Sequence, residues 1–446
     1  FDLHDPRPEN REYVRVSYYA IPPIYTIPYR SIYSKTVSNL LFASRLISVS
    51  HIAHGTTRLQ RTLAAIGQAA GIAAALCGKF DCSPREIYRS HIETLRQRLL
   101  LNDASIPGAV NNDPLDVAKK ASVSATSERR FSAETVSEWL PLSRPAGLML
   151  WDFPKQLDSI AFLLRNQSDT DLTLRARLLL RKAEHPYKGH EPGKFPYERA
   201  VNEVEWGYDN SLSVFAEQGS AFAQLSPGEH QVCFDFGQKL IPKDPCCDEN
   251  RYVIELEAKE KADCVLMAVD NGFYDFARLV VSGESAFDAQ PKCPVFTISP
   301  EPLYAEAENV ISGVNRRFSY NPVAMWQSDP ASPFPQSVTL NFETPQSLSA
   351  VQVTFDTLER TYTEMPLDCG LRVSGRTVRA YSLEILANET WQMVAEEREN
   401  YHRLCRHKFP AVKATALRLT VNAAWDNAYG ARVYEIRAYE ESCNII

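Results

Sequence analysis

From about residue 116 to its end, the sequence is a series of short alternating or β-rich runs separated by turn-forming clusters. It has almost no helical periodicity, which confines most of the chain to antiparallel β structure. Ile160–Leu164, Leu172–Leu180, His230–Phe236 and Tyr252–Leu256 are such runs, and short strands at this spacing suit a sandwich. Pro291, Pro294, Pro300 and Pro302 mark a break, after which a second strand-rich stretch extends to Tyr439. Upstream, SIPGAVNNDPL (105–115) reads as a linker. No repeat of fixed period is present. The expected layout is a first unit at 1–104, a linker at 105–115, a β-sandwich at 116–290, a Pro-rich linker at 291–307 and a last sandwich at 308–446. That is about three domains, as the 446-residue length suggests at roughly one per 150 residues.

The first quarter is a different kind of polypeptide. TLAAIGQAAGIAAAL (Thr62–Leu76) is dense in Ala and Gly, which predicts a buried helix packed closely on its neighbours. VSNLLFAS (Val37–Ser44) has strand length, and a loop of about 17 residues then leads to the helix. Ser83-Pro84-Arg85-Glu86 opens a second helix, with Ser as cap, Pro in the first turn and Glu completing a capping box. Its apolar stripe is Tyr88, Ile92, Leu95 and Leu99, ending by Asn102. Residues 1–105 carry 13 Lys or Arg against 8 Asp or Glu, a balance of +5, so that of the chain's −7 the remainder carries −12. Eleven of those thirteen cations are Arg, whose planar fork suits phosphate and carboxylate. The bias fits an anionic ligand or simply a charged exterior.

With 44% hydrophobic and 23% charged residues, the composition is that of a globular protein and excludes disorder and fibrous repeats. The run Ala64–Gly78, interrupted by Gln68, is shorter than a membrane crossing requires, so no membrane span is expected, nor a nucleic-acid partner. The opening FDLHDPRPENREY lacks a basic n-region, an apolar h-region and a starting Met, and reads as a mature or cut end. Ten cysteines are too dilute for a disulfide scaffold and include no pair of CxxC units, which leaves zinc without a site and the redox compartment open. The sequons at Asn166 and Asn388 do not settle it.

The string IPPIYTIPYRSIYSKTVSNLLFASRLISVSHIAHGTTRLQRTLAAIGQAAGIAAALCGK, residues 21–79, resembles the end of the FAD-binding region in a family of FAD-dependent oxidoreductases with a Rossmann-like domain. The resemblance rests on the order of four parts: the turn Ile27–Ser31, the NLLFAS stretch followed by Arg45, the loop His54–Arg58 and the Ala/Gly helix. It implies that the ribityl chain and ring of the flavin lie near Ser44, Arg45, Thr57, Arg58, Thr62, Ala64, Ala65 and Gly67, with the helix N-terminus facing the pyrimidine edge. His51 and His54 would face flavin and substrate and could relay a proton or orient a hydride donor; a merely exposed or core-satisfied His is the other reading. The sequence departs from the family at Ser44, where a Gly is expected, and at Gln60-Arg61, which replace Met-Pro. A dinucleotide site also needs GxGxxG in a first βαβ unit, and none of the 18 glycines forms it. The first unit thus reads as an incomplete α/β FAD-binding segment with two helices, its partner being the missing N-terminal half of the FAD domain, and the chain by itself is not expected to hold FAD.

Residues 308–440 resemble the discoidin-like, galactose-binding-like jelly roll, also called the F5/8 type C domain. The resemblance is carried in order by Glu308–Pro330, Ser337–Phe342, Ser349–Asp356, Tyr381–Val394, Ala416–Trp425 and Ala431–Glu440. It implies loops at one end that bind sugars, lipids or proteins, and a structural calcium whose oxygen donors here would be Asn309, Ser312, Asn315 and Glu435. Trp326 and Trp391 stand at core positions, and Tyr320 is a further candidate ring. Trp425 and Tyr429, beside Asp426 in NAAWDNAYGAR, are the binding candidates, because an aromatic ring can cover the C–H face of a sugar.

The stretch 116–290 has no motif tied to chemistry. His185, His190 and Glu191 read as a solvated loop rather than a metal site, Trp206, Tyr208 and Asp209 as turn or core packing with a sugar or substrate cleft as the other reading, and Cys246-Cys247 as free thiols or thiols with distant partners. The fold expected is mainly β: two β-sandwiches preceded by the α/β segment. The function expected is the C-terminal portion of an FAD-dependent oxidoreductase acting on a glycan-derived or other small organic substrate. The alternative is a non-enzymatic glycan- or surface-binding protein.

Overall fold

The computed structural model describes residues 26–104, 106, 108–131, 133–151, 156–183, 213–240, 251–259, 261–270, 277–282, 287–289, 292–301, 305–316, 325–357 and 373–441, together with two short strands at 2–3 and 17–18. Tyr320, His185, His190, Glu191, Trp206, Tyr208, Asp209, Cys246 and Cys247 lie outside these residues.

In the first quarter, β1 (Asp2–Leu3) and β2 (Ser17–Tyr18) pair antiparallel. Four helices follow, α1 (His51–Thr57), α2 (Gln60–Phe80), α3 (Pro84–Ser90) and α4 (Ile92–Leu101), where the sequence led us to expect two. Ser50 caps α1 by accepting the Ala53 N–H at 3.3 Å, so a helix forms within the expected loop. The capping box at Ser83 and Glu86 is complete. The helix that it opens breaks at His91, φ −133°, whose ring stacks on Phe80 at 4.2 Å. The break shifts the helical phase, so Ile87 is buried while Tyr88 is exposed. Val37–Ser44 is not a strand: it makes one bridge, Tyr33 to Leu41, and has no sheet to join among the described residues. At 21 residues, α2 is longer than the apolar run suggested and is, by length and composition, sufficient to cross a membrane. Here Ile66, Ala70, Ala73 and Leu76 are its buried residues, and Ala73 and Leu76 pack with Ile87, Leu95 and Leu99 of α3 and α4.

β3 (Ala121–Ala125) pairs with a strand more than two hundred residues further on and belongs to the last sheet. The middle region is built from β4 (Glu138–Pro141), β5 (Ala146–Trp151), β6 (Gln156–Asn166), β7 (Leu172–Ala183), β8 (Ser213–Leu225), β9 (Gly228–Leu240), β10 (Arg251–Ala258), β11 (Val265–Asp270), β12 (Ala277–Ser282), β13 (Phe287–Ala289), β14 (Cys293–Pro294) and β15 (Phe296–Ser299). One sheet has the order β13-β12-β5-β10-β7-β8; the other is β14-β11-β6-β15, with β4 on β11 and β9 on β6. Their inner faces share one core, including Leu148, Phe162, Leu174, Phe234, Ile254 and Met267. Strand β6 alternates buried and half-buried residues along most of its length, as a half-covered strand should. At Gly147 of β5 the main chain of Ile254 approaches so closely that a Cβ would overlap its carbonyl oxygen. The sequon Asn166 is 3% exposed and its amide donates to the Thr170 and Leu225 carbonyls, so it is a structural residue of the turn.

The last sandwich contains β16 (Trp326–Gln327), β17 (Gln336–Phe355), β18 (Val378–Ala387), β19 (Thr390–Glu397), β20 (Leu404–Ala424) and β21 (Arg432–Tyr439), in the order β16-β21-β17-β20-β18-β19, with β3 on β17. Strands β17 and β20, of 20 and 21 residues, bend at register shifts between Asn341 and Gln346 and between Leu348 and Ala350. Such irregularities let one strand serve both layers. Val117 and Ala118 also pack into this core with Trp326, Leu340 and Val353. Residues 117–125, expected in the middle sandwich, are therefore part of the last one, because β17 offers β3 a free edge.

The end of the expected linker, at 108–115, is anchored rather than free. The Asn111 N–H donates to the Gly313 carbonyl at 2.8 Å, and its side chain donates to Asp116 at 2.8 Å. Asp116 accepts the N–H groups of Ala118 and Ala438. Burial, with Glu435 nearby, pushes the Asp116 carboxyl up to about 6, against the pull of the Ala438 N–H, Arg437 and Asn111. An acid whose folded pKa lies above its unfolded one stabilises most below the unfolded value and loses that contribution as pH rises through the folded value. Between pH 4 and 7, wild type should therefore lose stability relative to Asp116→Asn by on the order of 3 kcal/mol. Urea midpoints measured across that range test this, and parallel pH profiles for the two proteins would refute it.

Candidate functional site

In the first unit the segment after Arg45 runs alongside the start of α2, since Ile47 packs with Leu63, Ile66 and Ala70. The N-cap of α2 is Leu59, which has no side chain able to accept a hydrogen bond, so the first-turn N–H groups have no side-chain cap and carry the partial positive charge of a helix end. Ala64 and Ala65 are exposed and Arg45 is exposed; Thr62 is half-buried. Among the described residues, a Cβ added at Gly67 would meet nothing within 4 Å, leaving room for another group to approach the helix backbone. These features fit the pyrimidine edge of a flavin. Thr57 fits less well, because it is 5% exposed and its hydroxyl donates back to the Ala53 carbonyl at 3.3 Å. Arg58 forms the C-cap of α1, its N–H donating to His54 at 3.2 Å. His54 is half-buried, and His51 is the first residue of α1. Ser44 has φ +62°, a left-handed conformation that accounts for the glycine expected there.

At one end of the last sandwich, Trp425 is 40% exposed and Tyr401 is 60% exposed. They are tied together, since the Trp425 indole donates to the carbonyl of Asn400 at 2.7 Å. The Arg379 guanidinium lies 5.9 Å from the Trp425 ring centre, and its buried Nε has no hydrogen-bond partner among the described residues. Tyr429 is half-buried beneath Arg376, 5.1 Å from its ring centre. Asp426 accepts the Ala428 N–H at 3.0 Å and shapes the turn Asn427–Tyr429. The main chain of 425–426 is fixed by hydrogen bonds to Thr377 and Gly375. Two rings, a cation and a carboxylate thus lie around one turn held by main-chain hydrogen bonds. Sequence reading missed Tyr401, Arg376 and Arg379, which come from turns remote in the chain. Trp326 is fully buried and donates to the Ser127 carbonyl at 3.0 Å, while Trp391 is covered by the Arg418 guanidinium at 4.0 Å.

The four calcium candidates do not gather into an oxygen cage. The Asn309 amide donates to the Met325 carbonyl, and Ser312 donates to the Asn309 carbonyl. Asn315 donates to the Leu100 carbonyl. Glu435 has one oxygen paired with Arg437 at 2.8 Å, both side chains being 1% exposed, and its other oxygen has no partner among the described residues. Arg437 supplies the positive charge that an ion would bring, so the residues present do not fit calcium. Among the described residues, no group of three or more His, Cys, Asp or Glu side chains could hold a metal.

Replacing Ser44 by Gly should relieve its left-handed backbone and stabilise the protein by up to about 1 kcal/mol. The urea midpoint measures this, and an unchanged or lower midpoint would show that Ser44 is not strained.

Residues 1–99 match the family described as FAD dependent oxidoreductase. No curated protein matches the chain. The solved structures similar to it include carbohydrate-binding modules. Chitosan-binding module 1 of a chitosanase/glucanase from Paenibacillus sp. IK-5 is 15% identical over 30% of this chain and 84% of its own, with a TM-score of 0.23. The family 32 module of NanJ from C. perfringens, in complex with galactose, is 18% identical over 32% and 90%, with a TM-score of 0.24. The family 32 carbohydrate-binding module of EndoD from Streptococcus pneumoniae is 19% identical over 31% and 88%, also with a TM-score of 0.24.

Proposed function

We propose that this chain is the C-terminal portion of an FAD-dependent oxidoreductase that acts on a sugar-related or other small organic substrate. The family match over residues 1–99 is the observation that carries this reading. FAD, when bound, supplies a hydride acceptor. In this reading the start of α2 and Arg45 favour the negative charge of the pyrimidine edge, and Gly67 with Ala64 and Ala65 lets the ring approach. The imidazoles of His51 and His54 handle the proton in this reading. In this reading the dinucleotide phosphates are held by a glycine-rich loop outside these 446 residues, which contain no GxGxxG.

Two measurements test the flavin reading. The chain alone, titrated with FAD, should leave flavin fluorescence unchanged, and stoichiometric binding would refute the need for a partner phosphate loop. Joined to a polypeptide that carries that loop, it should purify yellow; a folded but colourless product would overturn the flavin assignment.

A second reading, binding without catalysis, is favoured by the exposure of Trp425 and Tyr401 on one surface. It makes the last sandwich a glycan-binding module, with Trp425 stacking on a sugar, Arg379 and Asp426 reaching its hydroxyls, and Tyr429 and Arg376 supporting the turn. Trp425→Ala should weaken oligosaccharide binding at least tenfold, equivalent to about 1.4 kcal/mol, and intrinsic fluorescence titration follows it. Equal affinity in both proteins would remove this surface from the binding site.

A further inference from the structure

The end of α2 brings together two thiols that the proposed flavin and glycan sites do not use. Asp81, in a left-handed conformation at φ +48°, ends the helix, and its N–H is bonded to the Cys77 carbonyl. The Cys82 N–H is bonded to the same carbonyl at 3.0 Å. This is a Schellman-type turn, whose two outer residues characteristically touch through their side chains. Here both of those residues are cysteine. A main-chain hydrogen bond between two residues also brings their α-carbons to the roughly 4.4–6.8 Å that a disulfide spans. Both thiols are free and half-buried, and both pack against the cluster of Ala73, Leu76, Ile87 and Leu95. The Tyr29 ring belongs to the same cluster, and its hydroxyl donates to the Pro84 carbonyl at 3.1 Å, so the turn is held between α2 and α3.

We infer that Cys77 and Cys82 are a reversible modification site that closes to an intramolecular disulfide by exchange with a low-molecular-weight disulfide of the glutathione type. One cysteine, as thiolate, attacks the small disulfide and releases one small thiol. The second cysteine, after losing its proton, attacks the mixed disulfide and releases the other. The protein is oxidised by two electrons and loses two protons, and the small disulfide is reduced to two thiols. The second step is intramolecular, so a thiol held in the same turn outcompetes a second molecule of reagent. Burial raises the Cys77 thiol above its ordinary pKa, with Cys82 adding to the effect. Exchange should therefore be slow at neutral pH and faster as pH rises. The closed form would pin the end of α2 to the entry of α3, on the face of the first unit that also carries Tyr29.

The sequence makes the test direct, because Lys79 lies between the two cysteines. Trypsin separates Thr62–Lys79 from Phe80–Arg85, so a Cys77–Cys82 disulfide appears as these two peptides linked without reductant. The folded 446-residue chain, incubated with oxidised glutathione and then blocked with iodoacetamide, should yield the linked pair in place of both alkylated peptides, and dithiothreitol should restore them. Cys82→Ser should stop at the mixed disulfide on Cys77, a product that accumulates only if Cys82 is the resolving thiol. Stable glutathione adducts on both cysteines of the wild type, or alkylation of both without a linked pair, would overturn the inference.

Discussion

The arrangement of the first unit against the last depends on the carboxyl end of α4. An α-helix leaves its final carbonyls without internal partners and carries a partial negative charge there. In this chain the Leu100 carbonyl accepts from Arg437 at 3.3 Å and from Asn315 at 3.4 Å. The Leu101 carbonyl accepts from Arg406 at 2.9 Å and from Gln352 at 3.2 Å. Arg406, Gln352 and Arg437 are register partners across β20, β17 and β21, so one row of the sheet is spent on one helix end. Asp103, left-handed at φ +59°, then accepts both Arg403 contacts at 3.1 and 2.9 Å, and Leu101 packs on Ala350 and Tyr439. Cations at a helix C-terminus are favourable, and partial burial increases their effect.

This contact explains why the outer face of β17 and β21 is polar yet buried. Gln352, Thr354, Glu435 and Arg437 are each 1% exposed, on a face that a free-standing sandwich would turn to water. A buried arginine needs a partner, and Glu435 is that partner for Arg437. The first unit and the last sandwich are therefore joined by directional polar bonds. The far end of that sandwich keeps Trp425 and Tyr401 exposed on a turn surface fixed by Gly375, Thr377 and Asn400.

Features set by neighbours in sequence were legible in advance. The Ser83 capping box needs only residues three apart, and the strands of both sandwiches need only alternation, so both could be read along the chain. The Ala/Gly helix was legible in kind, although its exposed Ala64 and Ala65 differ from the buried helix that its composition implied. Val37–Ser44 has the residues of a strand but lacks a partner strand, and pairing is what makes a strand. The helix break at His91 depends on the Phe80 ring stacked against it, which periodicity cannot register. At the candidate sugar surface, Trp425, Asp426 and Tyr429 were visible in one loop, whereas Tyr401, Arg376 and Arg379 reach it only through folding.

The sequence by itself determined that most of this chain is antiparallel β sandwich, that its first quarter is helical and resembles a piece of a flavin domain, and that no dinucleotide phosphate loop lies within it. These follow from local periodicity, capping and motif spacing, each a property of residues close together in the chain. Only the tertiary structure decided that β3 joins the last sheet, that Arg437 pairs with Glu435, that α4 ends on a row of side chains some 250 to 340 positions away, and that the Cys82 N–H bonds the Cys77 carbonyl at a helix end. Those outcomes depend on which edge, charge or carbonyl was left unsatisfied when the units came together, and that is settled in space.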